Sequence, residues 1–304
     1  MTRHEIRGLG AALMLLCASA AAQTTGSDDG LDPLRAEVAR ARRETPQAFA
    51  ALEEAIGRVE VLDSRKRGTL ASVSPLFTQL GPQALWPMVE RIAFDASLAQ
   101  PARASAQLAL KVGLVEAAGA LKDPRLLPLW KDLLEGAEER RPVRRVAAVA
   151  LAKLDSPEAA QLLLALSRQE GARGALVREA MGQCRRLVIA QALAEALDAR
   201  PEPVEARRLA QALGDVGSAW AWKTSQTRAR AEEGEVRRVA AQSLLGAWLR
   251  YEGDVRQALT HALLRVDAQE TLALIEAART RESGGGDAAA LASLAERLRN
   301  NPLR

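Results

Sequence analysis

Apolar residues recur along this chain at the spacing of an amphipathic helix. One stretch shows the pattern in steps of 4, 3, 1 and 3: Val143, Ala147, Ala150, Leu151 and Leu154. Such steps place all five side chains on a single helical face. Similar segments of roughly 10 to 18 residues, a normal helix length, follow one another from residue 32 onward. No segment alternates apolar and polar residues as a half-buried strand does. The pattern predicts an all-α fold.

Helix boundaries carry recognisable chemistry. Four predicted starts pair a capping side chain with a proline at the first helical position, where the missing N–H costs nothing. They are Asp32-Pro33, Thr45-Pro46, Asp123-Pro124 and Ser156-Pro157. Glycine is often found at the position just past the last residue of a helix. The predicted stops are Gly81, Gly171, Gly214 and Gly217.

The chain also repeats itself. Residues 143–151 and 236–244 are identical at seven of nine positions, at an offset of 93, and both begin Val-Arg-Arg-Val-Ala-Ala. At an offset of 62, Leu209, Ala212 and Leu213 stand where the first copy has Ala147, Ala150 and Leu151. Both offsets are multiples of 31. Looser copies begin near residues 103 and 255. Self-similarity at such a period is typical of a solenoid.

Each repeat reads as two helices. A leucine-rich segment from Asp123 to Leu134 leads through a short charged link to the alanine-rich helix of the 143–151 motif. Alanine at the middle positions of that helix lets two backbones approach closely. A lone helix of this kind cannot bury its apolar face, so it needs a partner and a neighbouring repeat. We expect five to seven helical hairpins stacked as an α-solenoid.

The segment from Asp123 to Leu154 resembles a HEAT repeat of the short bacterial type that also occurs in phycobilisome-lyase-like proteins. The Val-Arg-x-x-Ala-x-x-Ala-Leu helix carries the resemblance. It is good over 120–155 and 205–247 and looser over 82–120 and 250–280. Around 172–190 it departs, because Val177-Arg178 is followed by Met181 and Gly182 instead of the alanine–leucine stripe. The resemblance implies a HEAT/armadillo-like superhelix that acts as a binding scaffold, and it implies no catalytic residues.

The ends suggest export and capping. Arg3 and Arg7, an apolar run from Leu9 and small residues up to Ala22 form the three-part pattern of a signal peptide over 1–22. The run is too short and too rich in alanine to remain as a membrane span. Lipid attachment at Cys17 and an uncleaved signal are the alternatives.

After the signal, the predicted organisation continues with a flexible leader (23–31), capping helices (32–81), a HEAT-like solenoid (82–282), and a glycine-rich break with a capping helix (283–304). The last helix is predicted from Asp287 to Arg299 as a cap on the open end of the stack, with a detachable regulatory or docking element as the alternative.

Composition narrows the class of protein. The chain has 304 residues, of which 48% are hydrophobic, 26% charged and only 3% aromatic. This excludes a disordered or collagen-like chain and disfavours a β-sandwich. A formal net charge of +4 is close to neutral for this length and demands no polyanionic partner. Export and the scarcity of aromatic side chains for stacking argue against a nucleic-acid partner.

Paired arginines recur in or beside the alanine-rich helices. In one interpretation the first arginine of each Val-Arg-Arg bonds acidic groups or helix ends between neighbouring repeats, and the second is solvated. In the other, the second helices line the concave side and their arginines form a basic track. Arginine binds carboxylate and phosphate through two parallel hydrogen bonds, so the track would take an acidic protein, a lipid headgroup or an anionic cell-wall polymer. The candidates are Arg145, Arg186, Arg208 and Arg238.

Aromatic residues group at Trp220, Trp222, Trp248 and Tyr251. They would fill a widened gap between repeats, or Trp220 and Trp222 would anchor a partner. Once a signal is removed, Cys184 and His261 are the remaining cysteine and histidine. We expect a buried structural cysteine rather than a Cys–His dyad. No zinc site, phosphate loop or nucleophile elbow is present, and no cofactor is expected.

These features predict an exported, non-enzymatic scaffold that binds another protein through an extended curved surface. In the basic-track interpretation, that partner protein has an acidic surface. The alternatives are a protein that holds a small ligand in its groove, as a lyase-like accessory would, and a structural spacer without a specific partner.

Overall fold

The computed structural model describes residues 30–94, 101–136, 139–224, 227, 229–281 and 286–302. Every regular element in these ranges is a helix and none is a strand, so the all-α prediction is confirmed. The predicted signal peptide lies outside the described residues, as does the leader except for its last two positions. None of the described helices combines the length and apolar character that crossing a membrane requires.

The α-helices of the described residues are α1 (Asp32–Glu44), α2 (Pro46–Gly57), α3 (Val59–Ser64), α4 (Ser74–Thr78), α5 (Leu85–Ala93), α6 (Ala104–Ala120), α7 (Leu127–Glu135), α8 (Arg141–Lys153), α9 (Pro157–Ser167), α10 (Gly171–Met181), α11 (Leu187–Asp198), α12 (Pro203–Val216), α13 (Ala219–Trp222), α14 (Glu233–Arg250), α15 (Gly253–Val266), α16 (Thr271–Arg281) and α17 (Gly286–Arg299). Short 3-10 turns precede α5, α7 and α14.

All four proline starts begin a helical element. The capping prediction is confirmed at two of them: Asp123 and Ser156 accept backbone N–H groups two and three residues ahead, at 2.9 and 3.2 Å. It is wrong at the other two. Asp32 lies inside the first turn of α1, and the Thr45 hydroxyl donates back to the carbonyl of Ala41 at 3.0 Å. A hydroxyl that bonds the preceding turn cannot cap the next helix.

Twelve of the helices form six consecutive pairs whose members pack against each other. The pairs are α5 with α6, α7 with α8, α9 with α10, α11 with α12, α14 with α15, and α16 with α17. The second members also pack in succession: α6 on α8, α8 on α10, α10 on α12, α12 on α15, and α15 on α17. We call these six helices the second row, and their partners the first row. Within the first row, α11 packs on both α9 and α14.

Backbones approach closely along the second row, where glycine packs on alanine. A Cβ atom added to Gly119 of α6 would lie 2.5 Å from the Cβ atom of Ala150 in α8. One added to Gly214 of α12 would lie 3.0 Å from the Cβ atom of Ala262 in α15. This confirms that the alanines permit close approach. It also shows why Gly214 does not end α12: it is a packing residue inside the helix.

The other three predicted stops have different outcomes. Gly81 lies three residues past the end of α4, directly before the 3-10 turn that begins at Pro82. Gly217 follows the last residue of α12, as predicted. Gly171 is instead the first residue of α10, with a φ of +76°, a backbone conformation that favours glycine. The prediction for Gly171 is therefore wrong, because the glycine serves the turn that enters a helix rather than the end of one.

The two copies of the nine-residue motif occupy different rows. Residues 143–151 lie in α8 of the second row, whereas residues 236–244 lie in α14 of the first row. The extra helix α13 and the turn before α14 separate α12 from α14 and shift the alternation. The expectation that the arginine pairs recur at second helices is wrong for Arg238, because the motif fixes helix formation but not the helix's neighbours. It is also wrong for Arg186, which directly precedes α11 of the first row.

Helices at both ends pack on the paired helices. At the N-terminal end, α1 and α2 pack on α5, while α3 and α4 pack on α6. At the other end, α17 packs on α16 and α15, and the Asn301 side chain donates to the Leu264 carbonyl at 2.8 Å. The helix predicted from Asp287 to Arg299 is confirmed. Residues 282–285, with most of the predicted glycine-rich break, lie outside the described residues.

Gly119→Ala is expected to lower the free energy of unfolding by about 1–3 kcal/mol, because the new methyl group overlaps the Ala150 Cβ atom. Gly246→Ala is the control. Gly246 lies inside α14, where an added Cβ atom meets nothing nearer than the end of the Arg250 side chain at 3.5 Å. We expect it to raise stability by about 0.5–1 kcal/mol. Urea unfolding measures both. Equal effects of the two substitutions would contradict the close contact.

Candidate functional site

The six residues predicted to bind a partner divide by exposure. Trp220 is 74% exposed, whereas Trp222 is buried and its indole N–H donates to the Val216 carbonyl at 2.9 Å. Trp248 is buried as well, with its N–H on the Thr260 hydroxyl. Burial favours the core interpretation for Trp222. Trp220 is the exposed member of this cluster, and Tyr251 is half-buried.

Arg186 is held inside the fold rather than on a track. Its Nη1 atom lies 3.0 Å from one carboxylate oxygen of Glu232, and the other oxygen accepts the backbone N–H of Leu187 at 2.6 Å. Glu232 thereby caps the first turn of α11, which exposes unsatisfied N–H groups. The ion pair gives Arg186 a structural role that does not fit the predicted partner contact.

Four arginines that directly follow a valine bond the C-terminal end of the helix paired with their own. Their bonds run from Arg144 to the Gly136 carbonyl (2.5 Å), from Arg178 to Ser167 (2.7 Å), from Arg256 to Tyr251 (2.7 Å), and from Arg237 to Val266 (3.1 Å) and Asp267 (2.5 Å). The last carbonyls of a helix lack partners within it and attract cations. We call these four residues the staple arginines.

The staples confirm that the first arginine of Val-Arg-Arg bonds helix ends. These bonds join the two helices of one pair. Arg178 and Arg256 also bond carboxylates of the next pair, Glu205 at 2.8 Å and Asp287 at 3.0 Å, as the expectation of links between neighbouring repeats requires. The second arginine of the motif is the solvated one: the Arg145 side chain is 68% exposed and sits 3.7 Å from Glu179. Arg238 is exposed beside Glu235, three residues earlier on the same helix. An exposed pair of this kind contributes little to stability.

The second row has an open groove between α12 and α15, which are parallel neighbours. Its volume is about 570 Å³, and it is lined by Val204, Arg207, Arg208, Gln211, Ala258, His261, Ala262 and Arg265. All five polar side chains of the lining carry hydrogen-bond donors and none is a carboxylate. Arg208 is therefore placed beside cationic neighbours. We call this space the α12–α15 groove.

Two of its arginines are only loosely paired. The nearest carboxylate oxygens lie 3.9 Å from Arg207, on Asp254, and 3.7 Å from Arg208, on Glu205. Both distances exceed that of a hydrogen bond. Arg265 differs, since it hydrogen-bonds Asp215. Burial raises the pKa of the Asp215 carboxyl, and the Arg265 guanidinium opposes that shift.

Arg145 borders a smaller second-row groove over α4, α6 and α8, of about 360 Å³. This groove also carries Lys153, but Glu116 lies in its lining and offsets part of the positive charge. Arg145 and Arg208 thus border two separate grooves of the same row. The predicted basic track is therefore not continuous. Arg186, which lies between Arg145 and Arg208 in sequence, forms an ion pair with Glu232 inside the fold.

A third concavity opens between α5 and α7, over α6 and the start of α8. It measures about 530 Å³. Its apolar lining is Leu108, Leu110, Leu114, Leu133 and Val143, and its charged lining is Arg91, Lys111, Asp132, Glu139 and Arg140. Lys111 bonds Glu139 at 2.5 Å. Burial raises the pKa of the Asp132 carboxyl, with Glu139 adding to the shift and Lys111 opposing it. We call this space the α5–α7 cleft.

The two residues considered for a dyad lie in unlike surroundings. Cys184 is buried, and burial raises the pKa of its thiol to about 12. His261 is exposed in the α12–α15 groove. A thiol that stays protonated at neutral pH is a poor nucleophile. In the described part of the chain, no group of three or more His, Cys, Asp or Glu side chains could hold a metal ion.

Comparison with known proteins gives no match: no family model fits the chain, and no curated protein or solved structure is significantly similar to it.

Gln211, His261 and Arg265 of the groove have no role in the predictions from sequence. A usable signal was present. Arg207 and Gln211 are four residues apart, as are His261 and Arg265, so each pair lies on one face of its helix. Because residues 205–216 and 255–266 align with the same repeat template, these faces could have been placed side by side.

Arg144→Met is expected to lower the free energy of unfolding by about 2 kcal/mol, since it removes a charged donor from the end of α7. Arg145→Met, the next residue, should change it by less than about 0.5 kcal/mol. Both substitutions remove one positive charge, so the difference between them reports the contacts of the Arg144 side chain rather than the loss of charge. Thermal or urea unfolding measures the difference, and equal losses for the two variants would refute the staple.

Proposed function

We propose that this protein is an exported, non-enzymatic scaffold, an α-solenoid of the HEAT type that binds another protein along the outward face of its second row. The solenoid is supported by the order of helix contacts, in which successive pairs pack on one another through second-row neighbours. A chain that extends by adding pairs gains surface without a separate core. Export is supported by the sequence of residues 1–22.

The observation that carries the binding proposal is the pair of grooves on the second row. Both are bordered by exposed arginines, Arg145 in one and Arg207 with Arg208 in the other. The guanidinium groups of the staple arginines bond carbonyls at helix ends. The groove arginines Arg145, Arg207 and Arg208 make only long ion pairs. Exposed arginine is enriched where proteins bind each other. A partner with an acidic surface fits this row.

Photo-crosslinking of the chain from Gln23 onward tests the proposal. A photoreactive residue replaces Arg145 or Arg208 in the second row, and Arg238 serves as the matched first-row control from the same motif. In envelope extract we expect the two second-row positions to form adducts with one and the same protein. The control position should form little of that adduct. An adduct at position 238 alone, or none at 145 and 208, would contradict the proposal.

A second function, binding of a small ligand, is favoured by the α5–α7 cleft. Its volume lies within the range of about 300–1,000 Å³ that is usual for ligand sites, and it combines an apolar floor with a few charged groups.

If a small amphiphilic molecule binds the cleft, saturation at about 100 times its Kd should stabilise the protein by about 2.7 kcal/mol. Leu108→Trp, which fills the cleft with an indole ring, should abolish the shift in Tm. Arg208→Glu in the distant groove should leave it unchanged. A panel of amphiphilic acids and amines that produces no shift would exclude this second function.

A further inference from the structure

We propose that the α12–α15 groove binds an extended acidic segment of the partner protein, taking two carboxylate side chains that are two positions apart. The inference rests on the proposed scaffold function and names the chemistry that one part of its surface recognises.

The first argument is the chemistry of the lining. Arg207, Arg208, Gln211, His261 and Arg265 all present donors. Among the described residues, Arg207 and Arg208 make ion pairs but no hydrogen bond, so their guanidinium N–H groups remain available. A carboxylate can accept two parallel hydrogen bonds from such a guanidinium. The other two concavities described above include carboxylates in their linings, which would repel an acidic segment.

The neighbouring carboxylates do not saturate these arginines. Glu205 is held from the other side by Arg178, whose Nε atom donates to it at 2.8 Å. Arg208 therefore meets only the second oxygen of that carboxylate, at 3.7 Å. The Asp254 side chain, beside Arg207, is 87% exposed, so solvent screens its long ion pair with Arg207. An incoming carboxylate meets weak competition at both positions.

The second argument is spacing. Arg207 and Gln211 are one turn apart on α12, and His261 and Arg265 are one turn apart on α15. Four residues of helix rise about 6 Å. Side chains two positions apart on one face of an extended peptide are separated by about 6.6–6.8 Å. A single phosphate reaches one end of the groove only, whereas an extended segment with acids at alternate positions reaches both.

The third argument is rigidity. The floor of the groove includes Ala262, against which Gly214 packs with backbone-level contact. Arg265 is fixed by its bond to Asp215. Val204, which is exposed at the rim, offers an apolar contact to a residue beside the acids. A preformed groove lowers the ordering cost of binding.

The test uses the full chain and fluorescein-labelled peptides in anisotropy titrations at low ionic strength. The probe peptide is Gly-Gly-Asp-Val-Asp-Gly-Gly, and the matched control replaces both Asp residues by Asn. A third peptide places the two Asp residues next to each other. We expect the probe to bind at least about tenfold more tightly than the Asn peptide, as charge-assisted bonds predict, and more tightly than the peptide with adjacent acids.

Variants locate the binding. Arg207→Gln with Arg208→Gln should weaken the probe about tenfold, because both loosely paired cations are lost. Arg40→Gln with Arg238→Gln removes the same charge outside both second-row grooves and should change affinity by less than about twofold. All four residues are partly exposed and only loosely or locally paired, so both double variants should melt like the unsubstituted protein. Inorganic phosphate at the probe's concentration should not displace it, and phosphatidylglycerol vesicles should not bind the groove.

Equal affinity for the Asp and Asn peptides, or equal loss in the two double variants, would overturn the inference. Displacement by phosphate alone would do so as well, in favour of a simple anion site. Vesicle binding that disappears with Arg207→Gln and Arg208→Gln would replace the acidic segment by a lipid surface. The scaffold function is tested separately: if crosslinks at position 145 persist while the peptide results are negative, the groove inference fails and the scaffold remains.

Discussion

Second-row helices meet at glycine on alanine, at Gly119 with Ala150 and at Gly214 with Ala262, and this contact sets the distance between successive helix pairs. Because only an alanine methyl group separates the backbones there, α6 lies directly against α8 and α12 against α15. Bulkier residues to either side then leave grooves of defined width on the outer face. Packing and surface are consequences of one constraint. An interior this tight tolerates little change in volume, so the groove walls are held where the contact puts them.

The staple arginines act on a second level, within each helix pair. Their bonds satisfy terminal carbonyls, which would otherwise be left to water, and tie the start of one helix to the end of the other. Arg237 shows that the device does not depend on the row. It bonds forward, to the end of α15, whereas Arg144 bonds back, to the end of α7. An arginine that follows a valine near a helix start thus bonds the end of whichever helix is paired with its own. The same motif can therefore occur in a helix of either row.

Local chemistry allowed much of this fold to be predicted, and long-range contacts explain the rest. Helix type and the proline starts depend on a few consecutive residues, and so does the close approach at Ala150. Gly214 was misassigned because its role depends on Ala262, 48 positions later. Arg186 looked like Arg208 in sequence, yet Glu232, on the segment inserted before α14, holds it in the fold. The α12–α15 groove was only half visible, since Arg208 was identified and the facing His261 and Arg265 were not. The spacing of side chains along one helix can be derived from neighbouring residues. Which helix faces lie side by side depends on how the helices pack.

Charge illustrates the same distinction. A net charge of +4 over 304 residues suggests no strongly charged surface, and most arginines of the described chain have nearby carboxylates or carbonyls. Net charge, however, sums over charged side chains that are bonded within the fold and those that face solvent. Arg144, Arg178 and Arg237 neutralise helix ends, and the carboxylates that remain are distributed unevenly among the surface concavities. In the α12–α15 groove the carboxylates stand behind or beside the cations rather than in the lining. A nearly neutral chain therefore presents a locally basic groove, and the arrangement of partners, rather than the number of arginines, determines what the groove attracts.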